Sequence, residues 1–72
     1  MNLIVMSGLG GFYDENIYIN IDNISHFISN PDGNTRIYLK TGSTEGQKSI
    51  LVKENVQEVL LAISKVESLK KD

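Results

Sequence analysis

Seventy-two residues without a cysteine make one domain with a small core, because a chain of this size buries only about 60–65% of its unfolded surface. No disulfide or thiolate-bound metal can supplement that core. A net charge of −2 argues against an overall electrostatic grip on nucleic acid.

The apolar run Leu3-Ile-Val-Met6, like every other in the sequence, is far too short to cross a membrane. No basic segment leads into a long apolar stretch, so membrane insertion is not expected and the expected location is the cytoplasm. The same run reads as the centre of a first strand over residues 2–7, buried on both faces or at an interface. Glycines at 8, 10 and 11 end it and permit positive φ. Phe12-Tyr13 is expected to anchor that loop. Residues 17–21 follow as a second strand, with Ile17, Ile19 and Ile21 alternating against Tyr18 and Asn20 in the period of two that marks a half-buried strand. Asp22-Asn23 favours a bend, and a third strand over 24–29 starts at once. Its phase is imperfect: Ile24, His26 and Ile28 share one face and Phe27 the other, so a bulge is expected. The stretch 17–28 is expected to supply the middle of the sheet.

Asn30-Pro-Asp-Gly-Asn34 is a strong turn signal, with Pro31 suited to position i+1 and Gly33 to a left-handed conformation. It predicts a hairpin into a fourth strand over 35–40, with Ile37 and Leu39 inward and Arg36, Tyr38 and Lys40 outward. A polar loop over 41–46 leads to a fifth strand over 47–52. The helix is predicted over 56–69. Asn55 with Glu58 forms a capping box; Val56, Val59, Leu60, Ile63 and Val66 make an apolar stripe; Leu61, Ala62 and Leu69 widen it. That surplus width suggests contact with a second subunit. The fold class is therefore α+β: a small antiparallel sheet of about five strands with one C-terminal amphipathic helix packed on it.

Catalytic signatures are weak. The glycines after Ser7 lack the Gly-Lys-Ser/Thr of a phosphate loop, and a strand rather than a helix follows them. His26 has no second histidine to assist it and reads as a structural residue. Asp14, Glu15 and Asp22 lack calcium-loop spacing, and no nucleophile elbow surrounds the serines. No metal or cofactor is expected, and the chain does not read as an enzyme. Tyr18, Arg36, Tyr38, Lys40 and Lys48 are the residues that could form an aromatic and basic outward face for bases or phosphates; cross-strand tyrosine packing on a solvated face is the plainer explanation.

The order of elements, with Ile17-Tyr-Ile-Asn-Ile-Asp-Asn-Ile24, Arg36-Ile-Tyr-Leu-Lys-Thr-Gly42 and Ile50-Leu-Val-Lys-Glu-Asn-Val-Gln-Glu-Val59, resembles the small flagellar and swarming-motility FlbD-like proteins over residues 17–65. Members of that family look like a short sheet closed by a helix, entered through a segment that Val52-Lys-Glu-Asn-Val56 matches here. The loop over 41–47 and the glycine-rich segment are longer than in that family. The resemblance implies no catalytic residues.

The function expected from these readings is a non-catalytic interaction protein acting as a homo-oligomer. Leu3, Ile4, Val5, Met6, Leu61 and Leu69 are the expected interface, and a further protein partner is compatible with it. The alternative is a module for nucleic acid or a nucleotide-like anionic ligand, including sequestration at a subunit interface.

Overall fold

The computed structural model describes residues 2–9, 15–41 and 48–69, the last without its side chain. The expectations for the anchor at 12–13, most of the polar loop and Leu69 as an interface residue lie outside the described residues.

Among the described residues, five antiparallel strands and one C-terminal helix form the α+β fold. The strands divide into two sheets, not one: β1 (Leu3–Ser7) with β2 (Asn16–Asn20), and β3 (Ile24–Ser29), β4 (Thr35–Leu39) and β5 (Ser49–Val52) in the order β3-β4-β5. The division begins at Ile21–Asn23, which coils as one turn of 3-10 helix. The Asn20 side chain accepts a hydrogen bond from the Asp22 amide at 3.0 Å. The Ile21 amide donates to the Asn2 carbonyl at 2.9 Å. Ile21, expected inside the second strand, is therefore already turning. The chain leaves the first sheet here and enters the second without pairing β2 to β3. Both strands lie at sheet ends, so the stretch 17–28 supplies two edges and not the middle.

The two sheets meet where Gly8 bridges Val52. Lys53 donates its amide to the Ser7 carbonyl at 2.8 Å, and Leu9 donates to the Leu51 carbonyl at 2.9 Å. Strands therefore follow the path β2-β1-β5-β4-β3. Ile4, Met6 and Ile19 from the first sheet, Ile37 and Val52 from the second, and Val59 of the helix enclose one core.

The expected bulge lies between Ile24 and His26: Ile24 pairs with Leu39 and His26 with Tyr38, leaving Ser25 as the extra residue. This restores the phase. Ile24 and Phe27 pack on the core, while His26 and Ile28 are exposed. The following turn is closed by Gly33 donating to the Asn30 carbonyl at 3.0 Å and Asn30 donating to the Asn34 carbonyl at 2.9 Å. Gly33 has φ +90°, a conformation that costs a side chain steric energy. It fixes the β3–β4 register.

Helix α1 (Val56–Leu69) opens on a reciprocal cap. The Glu58 amide donates to Asn55 Oδ1 at 2.8 Å, and the Asn55 amide donates to Glu58 Oε1 at 2.9 Å. Its buried face centres on Val59, flanked by Ala62, Ile63 and Val66. Leu60 does not belong to that stripe and is 51% exposed. At about 100° per residue, Leu60 and Leu61 lie about 100° and 200° around from Val59, whereas Ala62, Ile63 and Val66 return to within about 60° of it. Ala62 therefore packs and Leu60 does not.

Candidate functional site

Two surfaces carry the residues singled out from the sequence. On the second sheet, antiparallel pairing places His26, Tyr38 and Ser49 in one row across the three strands and Ile28, Arg36 and Leu51 in the next. Directly opposed residues share a face, so all six lie on the side away from the core residue Ile37. The Tyr38 ring stacks on His26, with centroids 4.6 Å apart and planes 12° from parallel. Ser25 Oγ lies 2.9 Å from His26 Nδ1. Arg36 reaches along the face and donates from Nη1 to Ser49 Oγ at 3.2 Å. The guanidinium therefore lies held beside an aromatic pair. Lys40, exposed beyond the end of β4, is anchored through its amide, which donates to the Asn23 carbonyl at 2.7 Å. Asn23 Oδ1 also accepts from the Thr41 amide and hydroxyl, both at 3.1 Å.

The structure brings Arg36 and Tyr38 together and places Lys40 at the end of the same strand. Tyr18 lies on the other sheet, opposite Val5. Lys48 is exposed, but its carbonyl accepts the Leu39 amide at 2.8 Å. That bond continues the register so that Lys48 stands opposite Leu39, out of phase with the Tyr38 row.

On the first sheet, β1 alternates. Ile4 and Met6 are buried in the chain's own core, and Leu3 and Val5 reach the surface. Of that apolar run, only Leu3 and Val5 are free to meet a second subunit, because β1 faces the core on one side only. Tyr18 is 64% exposed and Val5 48%. With Leu3 they form an apolar outer face bordered by Ser7, Asn16 and Asn20. Neither strand carries a charged residue. Leu61 is 57% exposed on the helix, beside Leu60.

The sequence reading missed Glu54. Its carboxylate accepts the Ser7 amide through both oxygens, at 2.9 and 3.0 Å, and its carbonyl accepts the hydroxyl of the buried Thr35 at 2.8 Å. It ties the end of β1 to the start of the helix and to β4. No local signal marks it, since Ser7 stands 47 residues away. Ile28, a half-exposed apolar residue beside Arg36, was also passed over, because the bulge that turns it outward has no fixed position in sequence.

Among the described residues, no three His, Asp or Glu side chains gather where they could hold a metal ion, and no helix is long and apolar enough to cross a membrane. No family model, curated protein or solved structure matches the chain.

Proposed function

We propose that the chain is a non-catalytic interaction protein, FlbD-like in type, that works in the cytoplasm as a homo-oligomer. The observation that carries this reading is the outer face of the β1–β2 hairpin, where Leu3, Val5 and Tyr18 stand exposed side by side. Such a patch on a small domain marks a contact surface. A cysteine-free chain with a core of this size also gains from burying apolar area between subunits. The FlbD-like reading is supported by the passage from β5 into a capped helix through Val52-Lys-Glu-Asn-Val56. Sedimentation velocity across the micromolar range tests the oligomer: a concentration-dependent rise in mass is expected, and a monomer throughout would remove the reading's main support.

A second reading rests on the His26–Tyr38 stack beside Arg36. A flat aromatic surface next to a guanidinium, with Lys40 nearby, suits a base or a phosphate. Binding of single-stranded oligonucleotides or nucleotides that weakens with salt and disappears in the Arg36→Ala, Tyr38→Ala double variant would favour it over a purely protein-binding role.

A further inference from the structure

We infer that β2 pairs antiparallel with β2 of a second copy of this chain, about a two-fold axis at Tyr18. The inference rests on the homo-oligomer reading above and specifies its contact. Its starting point is the sequence of β2: Asn16-Ile-Tyr-Ile-Asn20 reads the same in both directions. An antiparallel pair centred on Tyr18 sets Tyr18 opposite Tyr18 of the second copy, each Ile17 opposite an Ile19, and each Asn16 opposite an Asn20. Every side chain meets its own kind or its own position, which is what a two-fold interface requires.

The ladder phase agrees with that centre. The Gly8 amide donates to the Glu15 carbonyl at 2.8 Å and the Ile21 amide to the Asn2 carbonyl at 2.9 Å. With the register of the hairpin, this makes Glu15, Ile17, Ile19 and Ile21 the residues whose backbone groups face β1. Antiparallel bonding alternates, so the N–H and C=O of Tyr18 point away from β1, to the edge that, among the described residues, no other strand pairs with. Tyr18 can therefore exchange both of its backbone bonds with Tyr18 of the second copy without disturbing any bond to β1. Faces are preserved across such a pair. The outer row becomes Val5, Tyr18, Tyr18, Val5 over four strands.

Neither end strand carries a charged residue, so other guarding features decide which edge is free for a second copy. Proteins guard open edges with charged residues, proline or bulges. At the other end of the strand path β3 carries the bulge at Ser25, whereas β2 has no charge, no proline and no bulge. Within the paired strands no like charges meet, although the chain as a whole is net negative. The nearest flanking acid, Glu15, falls opposite Ile21.

Single-cysteine cross-linking tests the pair, because the natural chain has no cysteine and any disulfide must join two copies. In Tyr18→Cys the two Cα atoms would stand about 5.5 Å apart, within disulfide reach. In Val5→Cys they are separated by three strand spacings, roughly 14 Å, and cannot bridge. The expected result is rapid dimer formation on mild oxidation for Tyr18→Cys and none for Val5→Cys. Tyr18→Lys, at an exposed position, should keep the circular dichroism of the natural chain and weaken self-association on the order of tenfold or more. If the natural chain is monomeric, both the homo-oligomer reading and this pairing fall. If it self-associates while Tyr18→Lys associates equally well, or Val5→Cys cross-links as fast as Tyr18→Cys, the oligomer stands and the β2 edge is not its contact.

Discussion

Substituting Val59 and its neighbour Leu60 separately by alanine tests how the helix sits. Both are apolar residues of one amphipathic segment, and the apolar pattern alone put both on the buried stripe. Val59 is 0% exposed and Leu60 51% exposed. Val59→Ala removes two buried methyl-sized groups, a transfer loss of about 1.6 kcal/mol at about 0.8 kcal/mol each. The residual cavity in the core that Val59 shares with Ile4, Met6 and Val52 adds to this, so the total is about 2–3 kcal/mol. A domain of this length loses about 4–8 °C of melting temperature per kcal/mol, so the midpoint should fall by roughly 10–20 °C. Leu60→Ala should cost no more than about 0.5 kcal/mol, as surface substitutions do. Thermal melts followed by circular dichroism, repeated at several protein concentrations, give the comparison. A Leu60 effect that grows with concentration would report a subunit contact. Equal and concentration-independent losses for the two variants would refute the helix orientation itself.

Asn55→Ala should cost about 1 kcal/mol through loss of the reciprocal cap, seen in urea denaturation as a lower midpoint at unchanged slope. Glu54→Ala leaves the half-buried Ser7 amide without its carboxylate acceptor and should cost about 1–3 kcal/mol; hydrogen exchange at Ser7 should accelerate by more than the global loss of stability explains. Gly33→Ala meets no atom within 4 Å of the added carbon, so its cost is conformational alone, about 1–2 kcal/mol from the positive φ. Gly33→Asn, which tolerates that region better, should recover part of it in the same melts.

The features legible in the sequence are those set by neighbouring residues. Asn30-Pro-Asp-Gly carries its own turn chemistry, and Asn55 with Glu58 carries its own cap; both bonds of that cap form as expected. Alternation gave the inward faces of β2 and β4, since Ile19 and Ile37 are buried. Alternation says which side of a strand a residue takes, but not which sheet the strand joins. Tyr18 and Tyr38 therefore read as one face although they occupy two sheets. The split depends on Asn20 coiling the chain at Ile21–Asn23, and the two sheets are brought back together by distant bonds from Lys53 to Ser7 and from Ser7 to Glu54. In the helix, Leu60 and Ala62 were misplaced for a related reason. Hydrophobicity marks Leu60 as the better core residue, but the angular position of Val59 decides which neighbours face the sheets.

If the proposed β2 pairing holds, these contacts separate stability from association within the same hairpin. Ile4, Met6 and Ile19 hold its inner face to the core. Its ends are fixed by backbone bonds, at Asn2 with Ile21, at Ser7 with Lys53 and at Gly8 with Glu15, and by the Glu54 carboxylate, which accepts the Ser7 amide. None of these ties uses the side chains of Val5 or Tyr18, or the outward backbone groups of Tyr18. A change at Tyr18 can therefore alter self-association without weakening the fold. A change at Glu54 should act the other way: it loosens the hairpin from the helix first and reduces association only as far as it depletes the folded chain. In sedimentation under strongly native conditions, Glu54→Ala should then associate almost like the natural chain, while Tyr18→Lys does not. Loss of association in Glu54→Ala with its circular dichroism intact would mean that the contact runs through the β1–helix junction and not along the edge of β2.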